Sequence, residues 1–191
     1  MPTSRNLTTP DLVVLSLLSE RAMHGYEVNA ELERREVKDW AAVSRPQIYY
    51  SLEKLARLGF IREAGNAAPP AGPERRVFST TPAGAAALAD ALERDLWTSD
   101  RERPPFLTWM ALSWLARPGV FKRQLNRRRA FLTRELAREQ ETLAAVRREV
   151  GHEFHEAVWM IKLMIQQIRG ELRWLQRVES ESARRAKAKH T

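Results

Sequence analysis

Ser44, Arg45, Gln47, Tyr49 and Tyr50 crowd the start of the stretch SRPQIYYSLEKLARLGFI, residues 44–61, ahead of a regular apolar rhythm. An arginine can give two parallel hydrogen bonds to the edge of guanine, and a glutamine can pair with adenine in the same way. Serine, tyrosine, lysine and arginine suit phosphate oxygens, which set register without reading sequence. Arg45 and Gln47 are therefore candidate base readers, and Ser44, Tyr49, Tyr50, Lys54 and Arg57 are candidate backbone contacts. A plainer use is open to the same end. Ser44 and Gln47 have the spacing of a capping box and could close the helix on its own backbone.

Other chemistries have less to rest on. No nucleophile is paired with a base, and neither a glycine-rich phosphate loop nor a carboxylate pair stands out, so no enzyme activity is expected. His152 and His155 could approach a zinc ion, but no third ligand is evident, and neither a metal nor a cofactor is expected. The absence of cysteine excludes disulfides and thiolate metal sites. Five tryptophans follow residue 90, and most are expected in core or interface, where such residues concentrate. Trp97 and Trp109 are candidates for a pocket taking a small aromatic or hydrophobic effector.

The candidate readers need a helix to carry them. Ile48, Leu52 and Leu55 recur on one helical face, while Pro46, Tyr50, Glu53, Lys54 and Arg57 fall opposite, and Gly59 ends the run. Upstream, TPDLVVLSLLS reads as a helix with Thr9 as cap and Pro10 at its first position. A second helix runs from about Tyr26 to Glu36, with Val28 and Leu32 inward. Downstream, FIREA and RRVFST read as two short strands joined by GNAAPPAGP, residues 65–73, whose turn formers exclude regular structure. Alternation along the second strand sends Arg75 and Arg76 to opposite faces, where they could meet DNA beside the helix. Thr81 and Pro82 then open a further helix. Helices followed by a hairpin and a trailing helix indicate a winged helix-turn-helix domain.

Three blocks carry a resemblance. HGYE at 24–27, QIYYSLEKLARLGFI at 47–61 and RRVFSTTPAG at 75–84 resemble, in order and spacing, the PadR family of transcriptional regulators along about residues 7–90. That resemblance implies a homodimeric DNA-binding repressor, often relieved by a small effector. It would make Ser44, Gln47 and Tyr49 recognition-helix contacts and Arg76 the basic residue of the wing. Tyr50 stands where the family commonly has proline, and Phe78 where tyrosine is usual, so any hydroxyl contact at that strand position is lost.

The charge is unevenly placed. The chain carries +8, yet residues 1–98 hold 12 Lys and Arg against 13 Asp and Glu. Net basicity therefore does not locate a DNA-binding surface. Charges and a double proline in TSDRERPP, 98–105, mark a boundary, which predicts a DNA-binding domain over 1–98 and an all-helical dimerisation domain over 99–191. Within the latter, Phe154, Val158, Ile161, Ile165, Ile168, Leu172 and Leu175 step by 4 and 3 as a heptad seam. With Trp159, Leu163, Met164 and Trp174 widening it, the seam predicts an interface, most simply a two-fold dimer.

The fold class expected is mainly α with a small β-hairpin. The function expected is a sequence-specific regulator, most simply a homodimeric repressor on an inverted-repeat operator in double-stranded DNA. The alternative is a helical interaction or scaffold module without specific DNA binding. A third reading, a membrane-surface protein using the basic tail from Arg184 to Lys189, is weaker, because such tails are usually frayed and solvated. No stretch approaches the roughly eighteen apolar residues of a membrane span, and a cytoplasmic location is expected.

Overall fold

The structure is a computed structural model. It describes residues 7–41, 43–63, 76–99 and 104–188, the side chains of 39 and 183–188 excepted. The wing tip at 65–73, Arg75 and the basic tail side chains lie outside the described residues. The fold is mainly helical and divides into two compact units, 1–101 and 102–191.

The first unit is built on α1 (Thr9–Glu20). Its cap is Thr8 rather than Thr9, because Asp11 reaches back three residues to accept from the Thr8 amide and hydroxyl, both at 2.8 Å. Leu12, Val13, Val14, Leu15, Leu17 and Leu18 are all buried, so this helix is covered on most of its girth. After β1 (Met23–His24) come α2 (Gly25–Arg34), a short α3 (Lys38–Ala41) and α4 (Arg45–Arg57). Then follow β2 (Ile61–Glu63), β3 (Val77–Thr80), α5 (Pro82–Leu92) and a short α6 (Leu96–Ser99).

The sheet has three strands, not the two of the expected hairpin. Its order is β1-β3-β2, antiparallel throughout, with Met23 opposite Phe78 and Ile61 opposite Thr80. One core joins α1, α2, α4, α5 and the sheet through Leu15, Val28, Ile48, Leu52, Leu55, Phe60, Phe78 and Ala87, among others. Thr81 ties α5 to the α4–β2 turn: its hydroxyl donates to the Gly59 carbonyl at 2.7 Å and accepts from the Gly84 amide at 3.1 Å. A Cβ at Gly84 would lie 2.0 Å from the Phe60 carbonyl oxygen, so only glycine fits this approach.

The second unit begins with α7 (Pro105–Leu112), a 3₁₀ turn at Ser113–Leu115, and then α8 (Val120–Val150) and α9 (Glu156–Ala188). Gly151, at φ +75°, closes α8, and the chain returns so that α9 packs antiparallel on it. The late part of α8 meets the early part of α9: Leu143, Val146 and Val150 against Val158, Ile161 and Ile165. Leu125 and Leu132 meet Leu175, Ile168 and Leu172 at the other end, with Phe106, Trp109 and Phe121 closing the cluster. Arg128 of α8 bridges to Glu171 of α9 at 2.7 Å, and Lys162 of α9 reaches back to Glu153 in the connecting turn at 2.6 Å.

This corrects the seam in two ways. From Val158 to Leu175 its members are covered by α8 of the same chain, because a heptad requires a neighbouring helix without specifying whose. Phe154 lies before α9 begins and is 78% exposed, so it does not belong to the seam at all. Among the described residues, no helix is long and apolar enough to cross a membrane.

Candidate nucleic-acid interface

Helix α4 is an anchored rod with a free end. Ile48, Leu52 and Leu55 are fully buried and Ser51 almost so. Burial of each large side chain is worth about 1.5–3 kcal/mol, which fixes the rotation of the helix. With that face committed, Ser44, Arg45, Pro46, Gln47, Tyr50 and Arg57 are exposed, Tyr50 by 64%. Tyr49 is half-buried and packs on the edge of the core.

The helix end closes on itself. Gln47 Oε1 accepts from the Ser44 amide and from the Ser44 hydroxyl, both at 2.8 Å. These two bonds use both lone pairs of that oxygen and leave the Gln47 NH₂ to donate outward. Reading adenine with both ends of the amide therefore requires the cap to open.

The cations are placed less simply than the helical wheel suggests. Arg45 Nη2 meets Glu33 Oε1 on α2 at 2.9 Å, in a pair exposed on both sides. Lys54 corrects the sequence reading. Its side chain is only 15% exposed and runs inward, where its ammonium meets buried Asp11 at 2.5 Å. An ammonium held there is not available to a phosphate. Burial by itself would raise the Asp11 pKa, but hydrogen bonds from Lys54, the Thr8 amide, Ser51 and the Thr8 hydroxyl outweigh it and hold the carboxyl below its ordinary value. Arg57, by contrast, makes no ion pair with a described residue.

At the base of the wing, Arg76 Nη1 pairs with Glu63 Oε1 at 2.9 Å, and its guanidinium lies 5.5 Å from the ring centroid of buried Phe78. Phe78 thus serves as the apolar floor on which Arg76 is laid. The structure brings Ser44, Arg45 and Gln47 together on one exposed turn, and it places Arg76 on the strand side of the same unit. Asp11, Glu33 and Glu63 are the partners sequence reasoning missed. Only Asp11 left a trace, in the Thr8–Asp11 capping spacing.

The other candidates have local partners. Trp97 Nε1 donates to the Ala91 carbonyl at 2.7 Å, with Arg94 over its ring. In the second unit, Trp109 stacks against Phe106 and Phe121, at 5.4 and 5.9 Å between centroids. His152 Nδ1 accepts from the Phe154 amide and His155 Nδ1 from the Ala157 amide, each at 3.2 Å. Among the described residues no group of three or more His, Asp or Glu could hold a metal ion.

Residues 14–90, which carry α4, the sheet and most of α5, match the model of the transcriptional regulator PadR-like family. This segment is a PadR-like domain. Members of that family are transcriptional regulators, not enzymes. Solved structures extend the likeness over both units. Bacillus subtilis PadR in complex with operator DNA superposes with a TM-score of 0.67 at 20% identity, over 92% of this chain and 98% of that one. The same protein in complex with p-coumaric acid gives 0.64 at 15%, over 91% and 98%. A PadR-like transcriptional regulator from Bacillus cereus gives 0.62 at 18%, over 88% and 98%. At such identities the likeness is one of fold. A sequence comparison with curated proteins returns no match. The PadR-like domain thus presents the exposed first turn of α4 and the paired base of its wing as its candidate interface.

Proposed function

We propose that this chain is a DNA-binding transcriptional regulator, most simply a homodimeric repressor that places the first turns of α4 in the major groove of an inverted-repeat operator. The observation that carries it is the division of α4 into a buried face and an exposed end bearing Arg45, Gln47 and Tyr50, inside a PadR-like domain. Arg45 would read a guanine. Gln47 would donate to a base or, with its cap open, read adenine, and Ser44, Tyr49, Tyr50 and Arg57 would hold phosphates. Arg76, with Arg75 beyond the described residues, would serve the wing. Residues 1–98 would bind DNA and residues 99–191 would dimerise.

The dimer surface would lie outside the seam. Trp159, Leu163 and Trp174 stay within about 60° of one another around α9, on the side away from α8, and remain partly exposed. Release by a small aromatic or hydrophobic effector is the analogous expectation, supported by the p-coumaric acid complex of the Bacillus subtilis protein, with Trp97 and Trp109 as candidate contacts.

Footprinting on the DNA upstream of its own gene tests the reading. Protection of two half-sites, centred about one helical turn (~34 Å) or a multiple apart, is expected. A folded protein that protects nothing there and binds random DNA equally well contradicts it, and leaves the interaction module, for which exposed Leu112, Trp114 and Leu115 speak.

A further inference from the structure

We propose that Glu33 and Glu63 act as built-in competitors of DNA phosphate, each holding one guanidinium nitrogen of Arg45 or Arg76 in an ion pair that must be exchanged before that arginine can give its full fork to DNA. The proposal rests on the DNA-binding reading above. Of the four candidate cations described, Arg45, Lys54 and Arg76 already have a carboxylate at 2.9, 2.5 and 2.9 Å, and only Arg57 is left without one among the described residues. The unit they belong to has no charge to spare, with 12 Lys and Arg against 13 Asp and Glu over residues 1–98.

Carboxylate and phosphate are alternative acceptors for the same guanidinium fork. The Arg45–Glu33 pair, with both side chains 69% exposed, is a solvent-screened surface pair, weak enough to exchange. Yet a cation already neutralised releases few counterions on meeting DNA, and counterion release is the source of sequence-independent affinity. The two carboxylates therefore lower the attraction for any duplex, and binding depends on contacts that well-placed bases supply. Two other roles for Glu33 make the opposite forecast. If it accepted from a cytosine amine, or held Arg45 in its reading pose, removing its charge would weaken binding to the operator.

The test uses the full chain with Glu33→Gln and Glu63→Gln, each exposed enough to leave folding intact, and Glu93→Gln as an exposed carboxylate outside either pair. Fluorescence anisotropy on a labelled random duplex and on the duplex upstream of its own gene, over a range of salt, gives the readout. The two variants should bind the random duplex about two- to fivefold tighter. Their plots of log affinity against log salt should steepen by up to about 0.9, and Glu93→Gln should do neither. Unchanged affinity for random DNA, an equal gain in Glu93→Gln, or weaker binding to the upstream duplex overturns the proposal. A wild type without preference for the upstream duplex counts against the regulator reading, while the random-duplex arm still decides what the carboxylates do.

Discussion

Helix α4 sends two cations to two carboxylates, and their surroundings set them apart. Lys54 meets Asp11 where the side chains are 15% and 1% exposed; Arg45 meets Glu33 where both are 69% exposed. In each pair one cation meets one carboxylate oxygen within hydrogen-bond distance, at 2.5 and 2.9 Å. Water is the difference: out of solvent the broken pair leaves a buried charge with no compensation, whereas in solvent both partners are rehydrated at little cost. The buried pair therefore pins α4 to α1 and so sets where the exposed pair, and the reading end of the helix, can point. A second instance lies in α9, whose seam is sealed by α8 while Trp159, Leu163 and Trp174 on the other side stay open.

The contrast is sharpest in stability. Lys54→Ala should destabilise the protein by about 3–5 kcal/mol in urea unfolding, the cost of an unpaired buried charge, whereas Arg45→Ala should stay within about 1 kcal/mol. If the two cost the same, the distinction between the pairs collapses. In α9, Ile165→Ala should cost about 2–5 kcal/mol through a core cavity. Leu163→Ser should instead move the sedimentation or light-scattering mass toward that of a monomer with little loss of stability; an unchanged mass would remove that face from the dimer.

A smaller effect follows from the carboxyl of Asp11. Its pKa is lowered by folding, so the stability it confers is complete above the ordinary value of 3.8 and is lost as pH falls through the folded value. The stability gap between wild type and Asp11→Asn should therefore be constant near neutrality and shrink below about pH 4. A gap that widens on acidification would mean that the carboxyl is not held ionised. The smallest effect is expected from the cap, where Gln47→Ala should cost about 1 kcal/mol or less but relax base preference at one position of the site.

Much of the first unit is legible in its residue spacing. The buried face of α4 followed from Ile48, Leu52 and Leu55, and its cap from Ser44 and Gln47, since both depend on spacing alone. The third strand was not readable, because Met23–His24 is too short to show alternation and exists only by pairing with Phe78 and Val77. The helical wheel puts Lys54 outward, yet it lies only about 60° around the helix from Ser51, at the margin of the buried face, where a long stem can turn either way. Its partner, 43 residues earlier, left no mark near it. The seam shows which face of α9 is buried but not that the neighbour is α8, and its rhythm reaches back to Phe154, before the helix begins.

The central claim is that the exposed end of α4 reads DNA. The most direct measurement compares wild type and Arg45→Ala on the duplex upstream of its own gene and on a random duplex of equal length, at one salt concentration near physiological. Wild type should prefer its own site by at least about 10³-fold, and Arg45→Ala should lose about 1–3 kcal/mol on that site with much less change on random DNA. Equal binding of both duplexes by folded wild type, or an Arg45→Ala variant that keeps the full preference, would contradict it.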